Sequence, residues 1–354
     1  MYPLYIFDST LTLLGMIDNY EYLKWNFKYR TVDDFEIKVN RYKNNASYLI
    51  AGNIVSVYIN NEYRAGIIEL KELTLTQDGK LSESYHIIGR GLDGLLAERI
   101  ALYVTASGTG YDSQNDKAET IMRHFVDVNC ISSGTAARNY SLLELETDLT
   151  RGATVKYDAR FQILSELLED ISLASGLGWG VVLDTINKKM NFRIYEGLDR
   201  SFGNGVNSVV CFNPEYGNVK LLGYRESRLN SKNVTYLGGQ DVAELRTVTE
   251  VTKDAGSYSD TLRRETFIDA RDLDAVDKLT QRGNERLVEL GEESVIEMEN
   301  LSTGPFEFGT DFDVGDIVTV KYPSVIEADA RIIESQLEIT PENGLANKLI
   351  IGRS

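Results

Sequence analysis

The strongest constraint on this chain is a two-residue alternation broken by turn-forming pairs. In NIVSVYI, from Asn53 to Ile59, residues Val55, Val57 and Ile59 share one face, as in a half-buried strand. Asn60-Asn61 follows, and a second run, EYRAGIIEL, begins at Glu62. Asn tolerates the positive φ that tight turns need, so the pair predicts a hairpin. LTLTQDGKLSESYHIIG repeats the pattern around Asp78-Gly79. With the short apolar runs Leu4 to Phe7 and Leu11 to Leu14, residues 1–100 predict a meander of hairpins closing into a small barrel.

The pattern then changes. GRGLDGLLAERI, Gly89 to Ile100, reads as a short helical or turn segment. Ile121, Met122, Phe125 and Val128 recur at helical spacing, which predicts a helix over Lys117 to Asn129 with Asp116 as its cap. A second helix is expected from Ala159 to Ala174, with Phe161, Leu164, Leu167, Leu168 and Ile171 on one stripe and Gly176 as its C-cap. WGVVLDT and MNFRIYE flank INKK as a hairpin. From about residue 206 strands return (SVVCF, NVKLLGYRES, NVTYLGG, ELRTVTEV), and they close the chain (SVIEMEN, DIVTVKY, ARIIESQLEI, NKLIIG). Between them Leu273, Val276, Leu279, Leu287 and Leu290 predict a helix over Ala270 to Leu290, with Gly283 a weak point inside it.

The expected fold is therefore a β-rich α+β one, with two small β-barrel-like domains and α+β modules inserted between them. Residues 1–100 form the first barrel-like domain, 101–205 an α+β middle module, and 206–354 the second barrel-like domain with a helical insert near 255–291. The 354 residues are 42% hydrophobic, enough for a sizeable core. Five prolines against 29 glycines suit many turns within folded structure and not a Pro-rich stalk.

Charge excludes several partners. With 54 acidic and 37 basic residues the net charge is −17, which repels nucleic-acid backbones and anionic membrane surfaces. No basic run exceeds a pair, as in Lys188-Lys189 and Arg263-Arg264. Cys130 and Cys211, 81 residues apart, read as two buried thiols, which points to synthesis in a reducing interior. The N-terminus lacks a basic segment before an apolar run, so no signal peptide is expected. No stretch approaches the roughly 18 apolar residues of a membrane helix.

Chemistry-bearing motifs are scarce. The two histidines, His86 and His124, form no HxxxH or HExxH pattern, and neither cysteine has a CxxC neighbour. Cys130 follows His124 by six residues, a dyad that could be drawn but that nearness in sequence does not establish. Glu144 and Glu146 are one carboxylate pair among many. Gly176, Gly178 and Gly180 follow a helix, whereas a phosphate loop precedes one. The 20 tyrosines suit strand faces and interfaces better than a glycan-binding face. The sequence thus nominates no catalytic, cofactor-binding or metal-ligating residue, and no cofactor.

Several segments in order resemble the tail hub proteins of siphophages and related prophage tails. They are the N-terminal stretch with Trp25, Tyr29, Phe35 and Glu36; GRGLDGLLAERI; GLGWGVVLD, YEGLDRS and VVCFNPEYGNV; and, near the C-terminus, FDVGDIVTV with ARIIESQLEI and LIIG. The resemblance implies a non-enzymatic structural subunit with a fold similar to baseplate hubs. It further implies a homotrimer forming a pseudo-hexameric ring that joins the tail tube to the tip or fibre. Distal tail or tail-tube proteins and tail fibre or tip proteins are the implied partners, with a tape-measure protein a further candidate and DNA only in passage through the lumen. Localisation in the virion tail, after synthesis in the host bacterial cytoplasm, and no membrane anchoring go with it. Longer relatives carry fibre or wall-hydrolase domains, so any lytic activity is expected on another polypeptide. Two other readings stay open: a host-glycan-binding tail adaptor, and a peptidoglycan hydrolase or endopeptidase built on an unmarked carboxylate pair.

Overall fold

The computed structural model describes residues 2–59, 62–75, 78–102, 110–240, 246–271, 273, 275–301, 304–322, 326–342 and 344–352; the Asn60-Asn61 turn lies outside them. Packing groups the chain into two units, Met1–Gly223 with Glu297–Gly352, and Tyr224–Ile296.

The first unit opens with β1 (Leu4–Phe7), β2 (Leu13–Ile17), β3 (Tyr22–Lys28), β4 (Asp34–Asn40), β5 (Ile54–Ile59), β6 (Glu62–Glu72) and β7 (Ser84–Gly91). The short helix α1 (Gly94–Ala97) leads to β8 (Asp112–Lys117), α2 (Ala118–Val126), β9 (Leu143–Leu145), β10 (Thr154–Ala159), α3 (Leu164–Ser175), β11 (Gly178–Asp184), β12 (Lys189–Tyr195) and β13 (Cys211–Phe212). The chain passes between the units within β14 (Val219–Ser227) and β18 (Glu293–Asn300), and β19 (Ile317–Tyr322), β20 (Ile326–Thr340) and β21 (Gly344–Gly352) complete the first unit.

One sheet runs in the order β14-β18-β21-β20-β3-β4-β7-β6-β11-β12-β9, with β1, β2, β5, β13 and β19 branching from it. The long β20 links the two ends of the chain: Leu337 faces Trp25 on β3, Ile317 of β19 faces Arg331, and Ser335 faces Leu349 on β21. Strict alternation is seen in β3 and β4, where Leu23, Trp25, Phe27, Phe35, Ile37 and Val39 are buried. Trp25 and Phe35 stack at 4.9 Å across the strand pair. Bulges between Ile68 and Leu70, and between Ile332 and Glu334, bend the long strands. The Asp78-Gly79 turn is present, with Gly79 at φ 75° and Leu75 bridging Leu81.

Residues from 1–100 and from the middle segment build one core. Phe7, Ile54, Leu92 and Leu96 cluster with Phe125, Leu168, Trp179 and Phe192, and β6 pairs with β11 at Tyr63 and Leu183.

The helices depart from expectation at their starts. Helix α2 begins at Ala118 because Asp112–Lys117 is strand β8, paired with β10. Asp116 does not cap it; its carboxylate accepts from the amide of Lys117. Helix α3 begins at Leu164 and not near Ala159, because Phe161 takes a positive φ of 57° that no helix accommodates. Phe161 is accordingly off the buried stripe, while Leu164, Leu167, Leu168 and Ile171 form it. Gly176, at φ 76°, ends the helix as expected. Among the described residues no helix is long and apolar enough to cross a membrane.

The second unit holds β15 (Val234–Gly238), β16 (Val248–Thr252) and β17 (Glu265–Asp269) in the order β16-β15-β17, with β15 antiparallel to β16 and parallel to β17. Helix α4 (Val276–Glu289) packs on them around Leu237, Val251, Leu279 and Leu287. It is shorter than expected, since Leu273 is buried ahead of it and Val276 is exposed. Gly283 does not break the helix. A Cβ there would lie 2.7 Å from Val251 Cγ2 and 2.8 Å from Leu237 Cδ1, so the glycine lets the helix lie close against the sheet. Gly283→Val is expected to destabilise this unit by about 1–3 kcal/mol, read as earlier proteolysis within 224–296.

Candidate functional site

Tyr29 follows β3, is fully buried and is bonded from several directions. Its hydroxyl donates to the carbonyl of Gly176 at 2.9 Å, with the carbonyl of Tyr195 at 3.3 Å. It accepts from the amide of Gly197 at 3.4 Å and from Arg331 Nη1 at 3.3 Å. Its amide donates to the carbonyl of Ile333 and its carbonyl accepts from Trp179. The ring meets Tyr195 edge-on at 5.5 Å and carries the Arg331 guanidinium 5.1 Å from its centre. Three stretches of chain therefore close on one side chain: the end of β3, the α3–β11–β12 module, and the β19–β20 region.

Glycines make this approach possible. A Cβ on Gly178 would lie 2.4 Å from the Tyr29 ring, and one on Gly315 2.2 Å from it. A Cβ on Gly197 would lie 1.7 Å from the carbonyl oxygen of Gly315. Asp316, also buried, extends the clamp by accepting from the Leu198 amide at 2.7 Å and from Arg200 Nε at 2.8 Å.

Beside Tyr29 lies an ionic cluster. The carboxylate of Asp33 accepts from the Lys28 amide at 2.7 Å, and Asp93 accepts from the Asp33 amide at 3.2 Å. Arg64 stands 3.2 Å from Asp313 and 3.5 Å from Glu62, while Arg193 grips Glu62 with both terminal nitrogens. Burial drives the Asp33 carboxyl well above its ordinary range, and the neighbouring Asp93 charge adds to this. Burial likewise pushes Asp93 up to about 6. Burial raises Asp313 too, against the pull of Arg64.

The residues singled out by type go to other tasks. His124 Nε2 lies 2.8 Å from a carboxylate oxygen of Asp112. Burial raises that carboxyl, but hydrogen bonds from His124 and Gln114 outweigh it and leave it below its ordinary value. Cys130 is fully buried, and burial pushes its thiol up to about 12, so it is no ready nucleophile. Burial also raises Cys211. His86 lies 2.6 Å from Glu36, which also accepts from Tyr22. Glu144 pairs with Lys189 at 2.5 Å. Gly176 caps a helix end and Gly178 packs on Tyr29, so neither forms a phosphate cradle. Tyr20, Tyr29 and Tyr157 are buried, whereas Tyr42, Tyr58, Tyr216 and Tyr322 are exposed. Among the described residues no group of three or more His, Cys, Asp or Glu is placed to hold a metal ion.

The family profile described as Siphovirus ReqiPepy6 Gp37-like protein matches residues 3–353. The chain belongs to that family. No curated protein matches it in sequence. Solved structures similar to this Gp37-like chain include the 43 kDa tail protein of prophage MuSo2 from Shewanella oneidensis, at 14% identity, TM-score 0.63, and coverage of 99% of this chain and 98% of that one. The tail protein from Neisseria meningitidis MC58 is similar at 13% identity and TM-score 0.59, covering 100% and 97%. Prophage tail protein gp18 from Listeria monocytogenes EGD-e is similar at 12% identity and TM-score 0.55, covering 99% and 94%. The Gp37-like chain thus has the β-rich fold of prophage tail proteins.

Two outcomes are expected. Tyr29→Phe keeps the ring but removes the hydroxyl that donates to the Gly176 carbonyl and one of two acceptors of Arg331 Nη1, lowering stability by about 1–3 kcal/mol, measurable as a shift of the urea midpoint. The raised carboxyls of Asp33 and Asp93 retain protons in the folded protein that the unfolded chain releases near about pH 4. The contribution of Asp93 is therefore complete below that pH and is lost as pH rises through about 6. Asp93→Asn should gain stability relative to the parent as pH climbs through this window, and parallel stability profiles would contradict the reading.

Proposed function

We propose that this chain is a structural subunit of a phage or prophage tail tip, a baseplate-hub-like ring that joins the tail tube to the distal tip or fibre. It works in the virion tail and by geometry, not by catalysis. The observation that carries the reading is the Tyr29 junction. It draws together the segments that resemble hub proteins and ties the strands of residues 1–100 to the closing strands. A ring component needs that rigidity, because an error in the angle between its parts is repeated in every copy.

In this reading residues 1–100 and 206–354 supply the two barrel-like halves of each subunit, with 101–205 as the module between them and a helical insert near 255–291. Three copies then present six similar faces. Distal tail or tail-tube proteins contact one side of the ring, and fibre or tip proteins the other. The ionisable groups support a structural role: Arg64, Arg193 and Arg200 pair with carboxylates, and His124 pairs with Asp112.

The test is the mass of the purified protein in solution together with negative-stain images, alone and after mixing with tail-tube protein of the same virion. A three-fold ring with a central hole is expected. A species that stays monomeric at high concentration in both conditions would overturn the proposal, and turnover of host-wall fragments would move the chain to an enzymatic class.

A further inference from the structure

A cavity of about 20 Å³ lies in the ionic cluster, lined among others by Asp33, Arg64, Asp93, Arg193 and Tyr195. Two of these side chains bring an unmatched polar atom. Asp93 is 4% exposed, and its Oδ1 has no protein hydrogen-bond partner. Its other oxygen is engaged by the Asp33 amide. Arg193 uses both terminal nitrogens on Glu62, and its buried Nε has no partner. With Asp93 ionised, one orphan can only accept and the other can only donate. Gly91 contributes as well: a Cβ there would lie 2.4 Å from Asp93 Oδ1, so the glycine keeps that oxygen clear.

We propose that this cavity is a binding site for a single water molecule, held between Asp93 Oδ1, to which it donates, and Arg193 Nε, from which it accepts. The space fits, since a water needs roughly 10–15 Å³ of such volume and two or more polar partners. Charge argues against a cation, because Arg64 and Arg193 both line the site. Size excludes anything larger. A water here joins the turn after β7 to strand β12, beside the Arg193–Glu62 pair that already ties β12 to β6. The site stands whether or not the chain assembles into a ring.

Crystals grown in sodium salts and in rubidium salts test this. The expected result is one density peak within about 3.2 Å of both atoms, without anomalous signal in rubidium. Direct contact of Asp93 with Arg193, a cavity without density, or an anomalous peak would each overturn the proposal. Gly91→Ala is expected to displace the peak and lower the melting temperature by a few degrees. In Asp93→Asn the single oxygen is kept by the Asp33 amide and an NH2 donor faces the site, so the peak should weaken or be lost. An unchanged peak and melting temperature in Gly91→Ala would count against the site.

Discussion

The Tyr29 hydroxyl sits where three distant stretches of chain meet, and the first unit depends on that meeting. Residue 29 shares hydrogen bonds with positions 176, 195, 197 and 331, so the contact closes loops of very different length. Such long-range closures cost chain entropy that local hairpins do not. They persist when several weak bonds form together on a rigid group. An aromatic ring with one polar tip suits this: its faces pack on apolar and guanidinium neighbours while its end satisfies backbone groups that would otherwise be buried unpaired.

Much of the architecture was legible in local pattern because its cause is local. Alternation at Val55, Val57 and Ile59 marked a strand with a buried face, and those three residues are buried. Leu164, Leu167, Leu168 and Ile171 marked a helix, and they line its inner side. The failures have a common form. Phe161 fitted the apolar stripe by spacing but leaves the helix through its backbone angle, which periodicity does not encode. Gly283 looked like a helix defect because a sequence does not show the strand lying against it.

The junction itself was legible only as fragments. The segments GRGLDG, GLGWG, YEGLDRS and FDVGD could each be recognised, yet nothing in their order says that Asp93, Gly178, Gly197 and Gly315 gather around one region. Asp93 is one of 54 acidic residues, and Arg64 is separated from its partner Asp313 by 249 positions. Ion pairs of this kind have no fixed spacing, unlike metal-ligand or hairpin motifs. The glycines carried the available signal: a residue that needs no Cβ, set between bulky neighbours, marks a close approach even when the other side of the contact is unknown.

A cluster of strongly shifted carboxyls beside arginines commonly marks an active site. Here size weighs against that inference. Catalysis needs room for a substrate between its charged groups, typically hundreds of cubic ångströms, and the space beside Asp33 and Asp93 is about 20 Å³. The same shifts then describe a different task. Two carboxyls whose ionisation burial opposes, flanked by arginines already committed to Glu62 and Asp313, tolerate few alternative packings, because most displacements would leave a buried charge unpaired. The cluster adds little net stability, but it penalises the wrong arrangement of the segments that Tyr29 holds together.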